Sequence, residues 1–496
     1  MRLFCNTDRV TGTGSPLLYG HFIEHFHRQI YGGVFDPGNP LSDEDGFRTD
    51  VLDAMRKIRV PILRWPGGCF VSSYHWKDGV GAERRPSFDK AWRVEEPNTF
   101  GTDEYVALCR KIGCEPYICT NAGTGTAEEM SDWVEYCNLE NEGQYARMRI
   151  GNGHKEPFGV KFWSIGNENY GSWEIGAKSS AEWSALATES AKMMKHVDPS
   201  IELTAAALTD VDWNIRLLTS CGSFLDWISI HEYWDPIHNT NEFADYEASM
   251  VYTNDIGHSV RKVRGLLEAL GLEKQIRIAF DEWNLRGWYH PGVHTPKQAL
   301  TKEEYLLPRD KNDINSQYTM ADAVFTACFL NMVNRNCDIV GMANFAPVVN
   351  TRGCIFTHEN GIVLRTTYHV FDLYVNYLGD RILDSWSDSA PEKELRAKDG
   401  APVPTELLDV LVTSFTDRLG LAVAAVNKDP SEIQPLMLDF DAAGEVTQYY
   451  ISGDSTEAYN DIGHTAVSIL RKEAGRFARG MEIQLPPHSV SVIQIL

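Results

Sequence analysis

Eight times between residues 17 and 346, a short run of β-branched and aromatic residues ends in a polar tip and gives way to a longer stretch with helical spacing. The short runs fall at 17–23, 61–66, 115–121, 160–166, 202–207, 226–232, 276–281 and 338–346. Between them, GTDEYVALCRKIG repeats its apolar positions at Tyr105, Leu108, Cys109 and Ile112, the spacing of one helix face. SAEWSALATESAKMMKHV runs up to Asp198-Pro199, a helix stop, and VRKVRGLLEALG follows the same pattern. INSQYTMADAVFTACFLNMVNR is a further helix, with Asn312 or Asp313 as its expected cap. Eight strand–helix units point to a (β/α)8 TIM barrel. A doubly wound sheet is the alternative, but no G-x-G-x-x-G follows the first run.

At 496 residues the chain is too long for one ordinary core. After about residue 377 the texture changes to short strand-like runs broken by Gly, Asp, Asn and Pro, such as LLDVLVTSFTDRLGLAVAAVNKDP and GMEIQLPPHSVSVIQIL. That pattern predicts a jelly-roll-like β-sandwich. The expected division is a catalytic barrel at 15–377 and a sandwich made of 1–14 and 378–496. Residues 86–89 and 290–312 read as long barrel-top loops, which often shape a pocket.

The formal net charge is −23, from 46 Lys and Arg against 69 Asp and Glu. Nucleic acid or an anionic membrane would call for the opposite sign, whereas a neutral sugar is compatible. MRLFCNTDRV has no basic segment followed by an apolar run, and no stretch reaches the ~20 apolar residues of a membrane span. The ten cysteines are scattered, with no C-x-x-C pair, and read as reduced thiols of a cytoplasmic protein. No cofactor is expected.

In a barrel the reacting groups sit at the C-terminal ends of the strands. Strand four ends in Gly166-Asn167-Glu168-Asn169 and strand seven in Asp281-Glu282-Trp283-Asn284. Two carboxyls facing each other across the mouth are what glycosidic cleavage needs. One protonates the leaving oxygen, and the other attacks the anomeric carbon when the pair is about 5–5.5 Å apart, giving retention. Mutual repulsion would raise one of the two pKa values and keep the acid protonated. An amide at Asn167 can hold a sugar 2-hydroxyl.

The motifs YGHFIEHFHRQIYGGVFD, VPILRWPGGCFVSSYHWKDGVG, FGTDEYVALCRKIGCEPYI, FWSIGNENYG, DEWN and TYHVFDLY resemble glycoside hydrolase family 51, the α-L-arabinofuranosidases. The resemblance spans about residues 17–377. It implies exo-acting release of terminal α-L-arabinofuranosyl residues from arabinose-containing oligosaccharides or glycosides, with Glu168 as acid/base and Glu282 as nucleophile. Asn167 would hold the 2-hydroxyl, Glu24 the furanose hydroxyls, and Cys69 would line the pocket floor. His231 and Tyr233 would orient the nucleophile side, and Asn98 and Trp288 would be pocket walls. A homo-oligomer, often a hexamer, is implied as well.

One stretch departs from that resemblance. Where the family places glutamines after strand eight, MANFAPVVNTRGCIFT has Pro347 and Gly353, with Asn350 and Arg352 nearby as substitutes. Competing readings come from other classes. His25, His27 and His231 suggest a metal-dependent barrel hydrolase, although no Asp closes strand eight. A non-catalytic sugar binder, or an endoglucanase or β-xylosidase on the same carboxyl pair, is compatible with the same fold. Cys69, Tyr233, Trp288 and His231 also have plain core readings, and Glu24 could pair with Arg28 or Arg64.

Overall fold

Runs such as Ile62–Trp65 and Phe162–Ile165 are buried at every position, so each needs a neighbour on both edges and cover on both faces. In the computed structural model, which describes residues 1–289, 301–388 and 390–496, closure into a parallel barrel meets both needs. The strands are Gly20–Phe22, Ile62–Trp65, Glu115–Thr120, Phe162–Ile165, Glu202–Ala205, Trp227–Asp235, Arg277–Arg286 and Val340–Phe345, in chain order around the ring. Strand eight returns to strand one through Asn344 opposite Gly20 and Phe345 opposite His21. Inside, Ile62, Tyr117, Phe162, Trp227, Ala279 and Met342 form an apolar plug. Above it the interior turns polar, because strand ends carry the charges.

The helices wrap outside. Thr102–Ile112 ends at Gly113 in a left-handed conformation, and Ser180–Val197 is capped by Ser179 with Glu182 in a capping box. The helix expected to start from Asn312 or Asp313 begins instead at Met320, capped by Thr319 with Asp322. Asn312 and Asp313 are committed elsewhere: Asn312 to the backbone of Tyr289, and Asp313 to His27 and the Thr351 amide. Of the expected 290–312 loop, 290–300 lies outside the described residues, and Lys302–Lys311 is a helix. Residues 87–89 pair with Val94–Glu96 in a small hairpin.

The C-terminal strands form a nine-stranded sheet in the order Leu470–Arg476, Glu445–Ile451, Ser489–Ile495, Leu421–Asn427, Leu408–Ser414, Arg381–Ser387, Arg2–Thr13, Gln434–Leu438, Met481–Leu485. Its last strand touches Leu421–Asn427, five places away in that order, so the sheet curls into a sandwich. Leu3, Leu436, Ile483, Val446 and Ile493 fill the inside. Arg2–Thr13 runs antiparallel to Arg381–Ser387 and parallel to Gln434–Leu438. The other face packs on the barrel's helices: Ala424 and Val492 share one apolar core with Phe329 and Trp283. Among the described residues no helix is long and apolar enough to cross a membrane. All ten cysteines are free.

Candidate active site

Strand seven carries two consecutive acids, and a regular strand would send them to opposite faces. Ala279 lies opposite Ser229 and Glu282 opposite His231, so strand seven has one more residue than strand six over that interval. The count against strand eight is the same, with Phe280 opposite Ala343 and Trp283 opposite Phe345. This bulge turns both Asp281 and Glu282 toward the barrel interior, while Trp283 stacks outward on Phe329 at 3.7 Å between ring centroids. On strand four the chain leaves the sheet through Gly166 at φ 69°, and Glu168 itself sits at φ 45°. A Cβ on Gly166 would lie 2.1 Å from Asn169 Oδ1, so glycine is required there.

These two turns bring Glu168 and Glu282 together. One oxygen of each, with a ring nitrogen of His231, all lie within 4.8 Å of one another. Arg64, fully buried on strand two, donates from Nη1 to Glu282 Oε1 at 2.6 Å and from Nη2 to Asn167 Oδ1 at 2.9 Å. Tyr233 donates to Glu282 Oε2 at 2.8 Å. His231 Nδ1 is 2.9 Å from Glu168 Oε1 and 3.7 Å from Glu282 Oε1, and its Nε2 is 3.4 Å from Asp281 Oδ1. Trp173 donates to Glu168 Oε2 at 2.9 Å.

Charge pairing overrides burial here. Burial would favour a neutral His231, yet the carboxylates of Glu282 and Asp281 and the bonds to Asp281 and Glu168 push it up to about 10. Burial would raise Glu168, but the His231 bond and charge, then Trp173, hold its carboxyl below the usual carboxylate range. The raised acid pKa expected from the sequence is therefore not what the His231 pairing produces. Burial also opposes ionisation of Asp281, but Arg64 and His231 hold it at about 2. Two other carboxyls go the opposite way. Glu24 is raised to about 8 by burial and then by Glu282, and Glu174 to about 8 by burial and then by Glu168.

The narrow pocket over this pair, about 290 Å³ of empty space out to its mouth, is lined by Glu24, Cys69, Asn167, Trp288 and Arg352 beside the two carboxyls. Larger hollows lie away from the carboxyls, at the seam with the sheet. Glu24 pairs with neither Arg28 nor Arg64; its Oε1 accepts from Trp92 Nε1 at 2.8 Å and from the Phe70 amide at 3.1 Å. Gly67 and Gly68 make room for it, since a Cβ on Gly67 would lie 2.3 Å from Glu24 Cγ. Asn167 Nδ2 is buried with no partner, free to donate to a ligand. Trp288 packs edge-on against Tyr233, with centroids 5.5 Å apart. Asn98 is a correction: it does not line this pocket. Its side-chain Nδ2 donates to Arg85 O at 2.5 Å and its backbone N–H to Glu96 Oε1 at 2.8 Å, while Oδ1 is buried without a partner among the described residues, so it holds its own loop beside a separate small cavity. Asn350 is likewise occupied, donating to Arg28 O and Thr357. The sequence reading assigned no site role to Trp92, Trp173 or Glu174, which lie in loops beyond the strand ends. Arg64 had a detectable signal, a cation inside an apolar strand that needs buried acids as partners.

For a metal, His25 and His27 do not converge with His231. His25 pairs with Glu96 at 2.9 Å and His27 with Asp313 at 2.9 Å. Cys69, Glu168 and Glu174 form one group near enough to share an ion, and Glu168, His231 and Glu282 form another. In the second, the His231 cation already takes the place an ion would fill. The arrangement equips the site for acid–base and nucleophilic work on one small polar ring.

Two family models match. One described as "Alpha-L-arabinofuranosidase 1 domain" covers residues 54–250, and one described as "Alpha-L-arabinofuranosidase C-terminal domain" covers residues 281–489. The chain is 34% identical over 507 residues to alpha-L-arabinofuranosidase C of Emericella nidulans, spanning 98% of this chain and 96% of that protein. It is 33% identical over 431 residues to the intracellular exo-alpha-(1->5)-L-arabinofuranosidase of Halalkalibacterium halodurans, spanning 85% and 83%. The thermostable GH51 alpha-L-arabinofuranosidase of Thermotoga petrophila RKU-1 superposes with a TM-score of 0.88 at 35% identity over the whole of both chains.

Proposed function

The chain belongs to the α-L-arabinofuranosidases of glycoside hydrolase family 51, and we propose from that premise that it releases terminal non-reducing α-L-arabinofuranosyl residues by double displacement. Glu282 is the nucleophile and Glu168 the acid and then the base. The observation that carries this is the approach of the two carboxyls to within 4.8 Å over a single narrow pocket. An inverting pair would stand about 6.5–9.5 Å apart to admit a water between them.

Glu282, aimed by Arg64 and Tyr233, attacks the anomeric carbon, and the glycosidic C–O bond breaks as Glu168 protonates the leaving oxygen. The proton is at hand, because the His231 imidazolium holds one 2.9 Å from Glu168. A bound sugar expels water, makes an ionised Glu168 costlier, and so moves that proton onto it. The arabinosyl ester consumes the charge of Glu282. Glu168, again an anion beside His231, then takes a proton from the water that cleaves the ester. Asn167 Nδ2 and a protonated Glu24 supply donors to ring hydroxyls.

A single narrow pocket closed by Glu24, Asn167, Trp288 and Arg352 around the two carboxyls supports exo action on arabinose-containing oligosaccharides or glycosides. The α-(1→5) linkage in the Halalkalibacterium relative's name is the first to try. In this reading residues 15–377 are the catalytic barrel, and 1–14 with 378–496 the supporting sandwich. The unbridged cysteines suit a cytoplasmic enzyme, and homo-oligomerisation is checked by sedimentation. The test is a panel of aryl α-L-arabinofuranoside, β-D-xyloside, β-D-glucoside and β-D-galactofuranoside, with NMR of the first-formed sugar. Cleavage of the first with the α-anomer appearing first is expected. Inversion, or preference for a glucoside, would overturn the proposal.

A further inference from the structure

Arg352 stands out in the pocket wall. Its side chain is almost wholly buried, and among the described residues lining the cavity it is the only cation. The guanidinium makes one hydrogen bond among the described residues, from Nη2 to the Tyr233 hydroxyl at 3.2 Å. Its Nε is buried with no partner. Its Cζ lies against both Tyr233 and Trp288, 5.0 and 5.1 Å from their ring centroids. It is also close enough to act on Glu24, across the pocket. The neighbouring loop position offers no alternative, because a Cβ on Gly353 would lie 2.8 Å from backbone atoms of Val348 and Asn350. Leaving guanidinium N–H groups dry and unpaired is costly, and a sugar hydroxyl in this pocket would relieve that cost. The Nη2 bond has a second consequence. Tyr233 accepts from the cation and donates to Glu282, so the charge reaches the nucleophile through one polarised phenol.

We propose that Arg352 is a specificity-determining residue that binds a hydroxyl of the terminal furanose and, through Tyr233, positions Glu282. The proposal rests on the hydrolase reading above. Cation–π contact with two rings and the bond to Tyr233 hold the guanidinium in place, so the donor is preorganised toward the ring. The same cation disfavours a glycone that presents only a C–H face to that wall.

The test compares Arg352→Met, Arg352→Gln and Arg352→Lys with the wild type on aryl α-L-arabinofuranoside, each first shown to melt with the wild type. For Arg352→Met, KM should rise roughly tenfold to a hundredfold, the loss of one charge-assisted hydrogen bond. The acidic limb of its kcat/KM profile should also move to higher pH. Arg352→Gln, an uncharged donor, should recover KM but not the limb. Arg352→Lys should recover the limb more than KM, since it keeps the charge without the fork. An active wild type whose Arg352→Met variant keeps both KM and the acidic limb overturns the proposal alone. A wild type inactive on every furanoside removes the hydrolase reading and this one with it.

Discussion

In the proposed mechanism Glu168, held below the usual carboxylate range by His231, must be protonated to act, which makes its contribution depend on the leaving group. Glu168→Ala should slow hydrolysis of arabinosyl oligosaccharides, with their basic leaving alkoxides, by orders of magnitude more than hydrolysis of a nitrophenyl glycoside. Steady-state rates on the two substrates decide it, and equal losses would remove the acid assignment. Glu282→Ala should abolish turnover of both, because no ester can form. The convergence of Glu168 and Glu282 at the barrel mouth was legible in the sequence, since each follows a strand that ends there. What surrounds them was less so. Trp92 and Trp173 reach Glu24 and Glu168 from loops, where no periodicity tells which way a side chain points. Asn98 shows the opposite failure: a plausible polar loop residue whose hydrogen bonds are all local.

Strand one illustrates how an element's setting can oppose its sequence. His21 faces outward from Gly20–Phe22 onto Phe371 and Phe345, with centroids 4.5 and 6.1 Å away, and both ring nitrogens lack partners. Burial drives its pKa from the ordinary 6.5 down to about 3. The unfolded chain therefore takes up a proton as pH falls through 6.5, while the folded chain resists until about 3. The His21 contribution to stability should be level above pH 6.5 and drop as pH falls from there toward 3, by on the order of a few kcal/mol. His21→Leu should flatten that decline in a series of melting temperatures, and parallel curves would show that the histidine is not the cause. The β-branched and aromatic run with its polar tip located strand seven but could not reveal its bulge, because one inserted residue leaves composition unchanged and only re-aims Asp281 and Glu282. The misplaced start of the 320–335 helix has a similar origin: Thr319, Asn312 and Asp313 are all good caps, and only tertiary partners distinguish them.

Across the whole molecule, barrel and sandwich share a continuous apolar core through the Met320–Arg335 helix, and polar ties cross the same seam. Arg335 forks onto Asp409 at 2.7 and 2.9 Å, and Tyr246 reaches Lys428 O at 3.2 Å. Scanning calorimetry should therefore give a single cooperative transition. Two resolved peaks would mean that the seam contributes little. The first strand of the sheet adds a constraint of timing. Arg2–Thr13 fills a slot between Arg381–Ser387 and Gln434–Leu438, so this segment is translated long before its partners. At roughly 5–20 residues per second a ribosome needs on the order of tens of seconds to deliver them. Through that interval the strand waits with both edges open to any passing β-partner, which makes the nascent chain, more than the finished enzyme, the form in need of a chaperone.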